Sequence, residues 1–162
     1  MRIVLQRVRE AGVAVDGRAV ARIGAGLLAL VGVADDDSAD DAASLAKKTA
    51  ALRLFPSSEA EDAGDPRPFD RSVRDIGGSV LVVSQFTLHG EVRRGNRPSW
   101  SAAASSEDAE PLVEAYAAAL REAGVATEAG VFGADMQVSL VNNGPVTLAI
   151  DSKDLAGPRR GG

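Results

Sequence analysis

The chain has 162 residues, 45% of them hydrophobic, and a formal net charge of −5 from 23 acidic and 18 basic side chains. Such a length and apolar content fit one domain with its own core, and the acidic balance argues against bulk, non-specific binding of nucleic acid while leaving room for a local basic patch. With no cysteine and a single histidine, disulfides, thiolate chemistry and a His-rich zinc site are excluded.

In chain order the pattern is mainly strands with two helices. RIVLQRVRE alternates Ile3, Leu5 and Arg7 against Val4, Gln6 and Val8, and AGVAVDGRAVARIG reads as two short strands around the turn pair Asp16-Gly17. GLLALVGVA, residues 26 to 34, is apolar on both faces, as a central strand covered on both sides would be. Ser38 followed by Asp41 has capping-box spacing, and Ala42, Leu45, Ala46, Thr49 and Leu52 then form a helical stripe. The preceding carboxylates, Asp35 to Asp37, lack the glycine and terminal glutamate of an EF-hand and read as solvated charges at a positive helix end. Residues 56 to 78 are polar and rich in Pro and Gly, which predicts a mobile excursion or only short strands. SVLVVSQF is a second buried strand. A second helix follows in SSEDAEPLVEAYAAALREAG, with a stripe of Ala109, Leu112, Val113, Tyr116, Leu120 and Ala123 stopped by Gly124. Pro111 implies either a start near Asp108 or a bend. MQVSLVNN and PVTLAI return to strand, and the polar tail, residues 151 to 162, is expected to be flexible. No apolar stretch nears the ~20 residues of a membrane span and no leader follows Met1, so a soluble, cytoplasmic protein is expected.

Two segments carry unusual chemistry. In VSQFTLHGEVRRGNRPSW, Ser84, Gln85 and Thr87 sit where the apolar run stops, and the one imidazole, His89, lies past a turn. A serine nucleophile needs a base in hydrogen-bond reach, so a triad is disfavoured and His89 reads as a surface loop residue. Hydroxyls at a strand end also serve simply to satisfy local backbone groups. Arg93, Arg94 and Arg97 beside Trp100 suit either a phosphate grip or a solvated loop. In VNNGPVT, Gly144-Pro145 fits a hairpin turn or edge bulge, and equally a place where a bare main-chain oxygen is held rigidly before a ligand.

From Met1 to about Ile150 the sequence resembles the D-aminoacyl-tRNA deacylases, through QRV, IGAGLLALVGV, GGSVLVVSQFTL, RGNRPSW and FGADMQVSLVNNGPVT. The two most specific stretches are Ser84-Gln85-Phe86-Thr87-Leu88 and Asn142-Asn143-Gly144-Pro145-Val146-Thr147. Trp100 stands where Phe is common, and DPRPFDRSV is unlike the usual sequence before the strand. The resemblance implies an α+β single domain over residues 1–150, with mainly antiparallel and mixed β-sheets in β/β/α layers and two main helices, working as a homodimer. It implies hydrolysis of the ester of D-aminoacyl-tRNA, and of glycyl-tRNA mischarged on tRNA-Ala; no cofactor and no metal ligand is singled out. Ser84, Gln85, Phe86 and Thr87 would form the catalytic segment, with main-chain N–H groups around Gln85 and Phe86 as oxyanion donors. Gly144 and Pro145, joined by a cis bond, would cross to the other subunit and exclude L-aminoacyl-tRNA, held by Arg7, while Phe132 and Met136 line the pocket. A non-catalytic dimeric RNA- or nucleotide-binding module is the alternative, and a general esterase, lacking nucleophile and base, a weaker third.

Overall fold

In the computed structural model, which describes residues 1–57 and 67–155, the Asp16-Gly17 turn joins strand β1, Arg2–Val15, to β2, Arg18–Ile23. Strand β3, Gly26–Gly32, returns antiparallel on the first half of β1, pairing Arg2 with Gly32 and Val8 with Gly26. After helix α1, Ala39–Ala51, the short strands β4, Arg53–Phe55, and β5, Arg71–Ser72, pair antiparallel as a separate two-stranded sheet. They flank the polar excursion anticipated from the sequence, whose residues 58–66 lie outside the described residues.

Strand β6, Ser79–Ser84, then runs parallel to β3, and helix α2, Ser106–Glu122, leads to β7, Ala126–Ala129, parallel to β6. The last strand, β8, Met136–Asp151, lies antiparallel along the whole of β1. The main sheet therefore has the order β2-β1-β3-β6-β7, with β8 on the other edge of β1. The architecture is a mixed α+β single domain with three α-helices among the described residues, the third being α3, Ser152–Leu155.

Burial shows why the sheet curls. Ile3 and Leu5 of β1 lie in the core under the helices, whereas Val8, Ala11 and Val13 belong to a second apolar cluster with Ile23, Leu28 and Leu81. The switch coincides with register shifts between Gln6 and Val8 and between Val8 and Glu10, where an irregularity turns the strand's apolar side from one face to the other. The strict alternation read from RIVLQRVRE thus breaks at Arg7. Strands β3 and β6 are buried on both faces, with Leu27, Ala29, Val80 and Val82 toward the helices and Leu28, Leu81 and Val83 toward the second cluster.

Helix α1 buries Ala42, Leu45, Ala46, Thr49 and Ala50, and α2 buries Ala109, Val113, Tyr116, Ala117 and Leu120. The second helix starts at Ser106, earlier than Asp108, because Ser105 caps it by accepting from the Asp108 N–H; Pro111 lies inside and removes only the donor that would reach exposed Glu107. The two helices meet in one buried polar contact, Thr49 Oγ1 to Tyr116 Oη at 2.8 Å, and burial pushes the Tyr116 phenol well above its usual range.

Three further expectations change. Asp37 is not solvated: its side chain is 1% exposed and accepts from the Ala34 N–H at 2.6 Å and from the Met1 amino group. The tail begins with α3, where Ser152 is buried and its N–H donates to the Met1 carbonyl at 2.8 Å; residues 156–162 lie outside the described residues. Strand β7 is an element that no sequence pattern announced.

Thr49→Val should destabilise the protein by about 1–3 kcal/mol in urea titrations, since it strands the Tyr116 hydroxyl in the core. A second expectation concerns pH. Hydrogen bonds from the hydroxyls of Ser152 and Ser38 and from the Ser38 N–H hold the Asp41 carboxyl at about 2. A folded-state value below the unfolded one gives stability that is present above about pH 4 and lost as pH falls toward 2. The stability gap between wild type and Asp41→Asn should therefore close over that interval.

Candidate active site

Strands β3, β6 and β7 are parallel, so their C-terminal ends open on one edge of the sheet, where such sheets commonly bind ligands. A cavity of about 630 Å³ lies there. Val31 and Val33 line it from the end of β3, Ser84, Gln85 and Phe86 from the end of β6, and Phe132 and Met136 from the segment joining β7 to β8. Ser105 and Ala109, at the start of α2, close the remaining side.

The turn after β6 fixes the polar groups. The Gln85 N–H donates to the Val31 carbonyl at 2.7 Å and so completes the parallel ladder. Residues Phe86–His89 then wind into one 3-10 turn, with the Leu88 N–H donating to the Gln85 carbonyl at 3.2 Å and the Gly90 N–H to the Thr87 carbonyl at 3.0 Å. The N–H groups of Phe86 and Thr87, first in that turn, have no acceptor within it. The Gln85 N–H is therefore committed to the sheet, whereas those of Phe86 and Thr87 are not. Gly32 makes the turn possible, for a Cβ there would stand 3.0 Å from the Gln85 carbonyl oxygen, Leu88 Cβ and His89 Cδ2.

Aromatic surface frames the opening. Phe86 and Trp100 meet edge to face with centroids 5.4 Å apart, and both stay partly exposed, by 55% and 40%. The Gln85 side-chain amide donates to Thr87 Oγ1 at 2.5 Å. No carboxylate or imidazole among the described residues hydrogen bonds to the Thr87 hydroxyl. His89 is not on the surface, because the 3-10 turn winds it inward: it is 7% exposed, and its Nε2 is buried without a partner.

Of the residues singled out from sequence, Ser84, Gln85, Phe86, Phe132 and Met136 come together at the cavity. Thr87 lies beside them through its bond to Gln85. Arg7, Gly144 and Pro145 form a separate group. Arg7 Nε donates to the Asn143 carbonyl at 2.8 Å and Nη1 to the Leu54 carbonyl at 2.5 Å. The Gly144-Pro145 peptide is cis, and both residues are exposed. Gly144 has φ 139°, and a Cβ there would press on the Arg7 guanidinium at 2.9 Å, so both conformation and space require glycine.

Two contributors were missed by sequence reasoning. Asn142 brackets the turn, accepting from the Val146 N–H at 3.0 Å and donating to Thr147 Oγ1 at 3.0 Å; an Asn two residues before Gly-Pro was the available signal. Trp100, an aromatic beside arginines where the family commonly has Phe, is the other. Its ring lines the cavity, and Gly90 makes room for it, since a Cβ on Gly90 would come within 2.6 Å of the indole.

Comparison with known proteins places this geometry in context. Residues 4–151 match the family model described as D-Tyr-tRNA(Tyr) deacylase. The D-aminoacyl-tRNA deacylase of Chloroflexus aurantiacus is 54% identical over 162 residues, covering 100% of this chain and 97% of that protein. That of Thermus aquaticus is 54% identical over 159 residues, covering 98% and 100%. A solved structure titled c-Myc DNA Unwinding Element Binding Protein is 33% identical with a TM-score of 0.83, covering 93% of this chain and 98% of that one. Another, titled as a probable eukaryotic D-amino acid tRNA deacylase, shares the fold at 17% identity and a TM-score of 0.77, with the same coverage.

Proposed function

The chain belongs to the D-Tyr-tRNA(Tyr) deacylase family, and from that premise we propose that it hydrolyses the ester linking a D-amino acid to the 3′ end of tRNA, releasing both. The observation that carries this reading is the turn after β6, whose uncommitted N–H pair opens beside an aromatic-lined cavity. The cavity takes the terminal nucleoside, with Phe86, Phe132 and Trp100 offering ring surface to a base. The ester carbonyl then faces the N–H groups of Phe86 and Thr87, where one oxyanion donor is worth roughly 3–4 kcal/mol. An aminoacyl ester is already reactive, so positioning of a water, aided by the terminal ribose hydroxyl, serves without a side-chain nucleophile. Among the described residues no base hydrogen bonds to the Thr87 hydroxyl, and the one histidine is buried.

Chirality is assigned to the Gly144-Pro145 turn of a second copy of the chain. The turn is exposed and lies off the cavity of its own chain, which supports a homodimer in which each cavity is completed by its partner. There the Gly144 carbonyl would take the substrate ammonium. With ammonium and carbonyl both fixed, an L side chain points into the turn and a D side chain away from it, so rejection works by collision and accepts many D-residues. Glycine carries no side chain to reject, and glycyl-tRNA mischarged on tRNA-Ala falls within the same reading. Arg7 is a positioning residue that holds the turn through the Asn143 carbonyl.

A non-catalytic nucleic-acid-binding module is the second reading, favoured by the printed title of the 33% identical structure. Release of D-tyrosine from charged tRNA, with L-tyrosyl-tRNA in parallel, decides between them. Deacylation restricted to the D form supports the enzyme, and binding without turnover supports the module.

On that assay Thr87→Ala should retain kcat within about tenfold of wild type. A loss above ~10³-fold with KM unchanged would return Thr87 to the nucleophile's role. Arg7→Ala should lower the D-over-L ratio by about tenfold, the equivalent of one charge-assisted hydrogen bond of ~1.5 kcal/mol, while D turnover falls less than the ratio does. An unchanged ratio would move chiral selection to other groups.

A further inference from the structure

The loop that leaves the 3-10 turn is pinned as a small hairpin. Glu91 and Ser99 exchange both backbone hydrogen bonds, Glu91 N–H to Ser99 O at 2.8 Å and Ser99 N–H to Glu91 O at 2.9 Å. Between them lie Arg93, Arg94 and Arg97, all exposed. No ion pair or side-chain hydrogen bond engages their guanidinium groups among the described residues. The one carboxylate between residues 86 and 106, Glu91, is spent on backbone, accepting from the Arg93 N–H at 2.7 Å.

Two features separate this loop from an ordinary solvated surface. The chain as a whole is acidic, with net charge −5, so three unpaired arginines beside one carboxylate run against its composition. The base of the hairpin also adjoins the cavity directly, for Ser99 precedes Trp100, whose ring lines the cavity and touches Phe86. The hairpin that carries these guanidinium groups thus springs from the cavity's Trp100 side, within reach of a chain whose terminal nucleoside occupies the cavity. Arginine forks match phosphate oxygens bidentately, whereas a protein surface or a lipid headgroup gives no reason for the charge to sit at the mouth of a nucleoside-sized cavity.

We infer that the hairpin of residues 91–99 is a phosphate clamp, in which Arg93, Arg94 and Arg97 grip the sugar-phosphate backbone of the RNA strand entering the cavity. The inference rests on the proposed tRNA reading and deepens it by assigning affinity for the nucleic acid to a surface distinct from the catalytic turn. Backbone gripping of this kind is indifferent to sequence and strongly dependent on salt, because each neutralised phosphate releases counterions.

The test is the triple variant Arg93→Gln, Arg94→Gln, Arg97→Gln, assayed on D-tyrosyl-tRNA and on the 3′-D-tyrosyl ester of adenosine, which has no phosphate. On tRNA the variant should raise KM by about 10- to 100-fold at physiological salt with kcat changed less than threefold. The slope of log(kcat/KM) against log[salt] should become shallower by about 2, at about 0.7 per single-strand contact. The corresponding triple Lys variant should recover most of that slope. On the adenosine ester the loss should be at least tenfold smaller than on tRNA. An unchanged slope and KM would overturn the clamp, and an equal loss on both substrates would reassign the arginines to support of the cavity. Should wild type hydrolyse neither substrate, the deacylase reading fails on its own, and the salt slope of binding to uncharged tRNA, measured for wild type and variant by fluorescence anisotropy, still decides the clamp.

Discussion

The hydrogen bond from the Gln85 N–H to the Val31 carbonyl is the contact on which the site depends. It is the last rung of the parallel ladder between β3 and β6, and everything after it is displaced from the sheet by the 3-10 turn. Up to Gln85 the backbone donors belong to the ladder; those of Phe86 and Thr87, next in the chain, do not. Gly32 is the matching constraint on the neighbouring strand, since a Cβ there would crowd Gln85, Leu88 and His89 at 3.0 Å where they close over the end of β3. Strand β7 extends the parallel set by one, which brings Phe132 to the same edge. The cavity is thus a consequence of where three parallel strands stop, and main-chain groups of the turn after β6 stand beside polar side chains, Ser84, Gln85, Ser105 and Asp135, in its lining.

What was legible in the sequence follows from this division between side chains and backbone. Strands β3 and β6 stood out because burial on two faces demands an unbroken apolar run, and α1 and α2 because a buried helical stripe recurs at a fixed period. Ser84, Gln85, Phe86, Phe132 and Met136 were named from sequence through family resemblance, and they do meet at one cavity. Strand β7 was illegible because Ala126–Ala129 is largely exposed and joins the sheet through its backbone alone. The inward turn of His89 was hidden for a related reason: a short 3-10 turn sets direction by main-chain bonds, and the polarity of TLHG says nothing of it. In β1 and β8 the pattern misled by its regularity. Register shifts around Val8 change which face the apolar residues occupy, and β8 continues past Gly144-Pro145 as one strand because Asn142 closes the irregularity from within.

In the proposed reaction the scarcity of side-chain chemistry has a physical counterpart in the substrate. The Thr87 hydroxyl already accepts from Gln85, and Tyr116 and His89 are shut in the core. A site of this kind is suited only to a bond that hydrolyses readily once its carbonyl is polarised, and an aminoacyl ester is such a bond. Placing chiral selection on a second copy separates two demands that conflict within one chain. The catalytic turn must approach every substrate closely, whereas the excluding turn must approach only the wrong enantiomer. Rigidity is needed in both, and each obtains it from bonds to distant strands, Gln85 from β3 and the Gly144 turn from Arg7 on β1.

An acidic protein that acts on a polyanion faces a repulsion that its net charge would seem to make prohibitive. Screening limits that repulsion to about 8 Å at physiological ionic strength, so what matters is the charge within reach of the RNA. Several surface carboxylates are already locally compensated, Asp36 by Lys153 and Asp151 by Arg2, while among the described residues the three arginines of the hairpin have no such partner. Under the clamp reading, affinity for tRNA resides in exposed charge and weakens with salt. In the proposed mechanism, discrimination between enantiomers would reside in a steric contact, at a turn held by the Arg7 and Asn142 side chains, which salt screens far less than exposed charge. On these two proposals, raising ionic strength would reduce how often tRNA is engaged without changing which amino acid is removed, because different physical forces would carry the two properties.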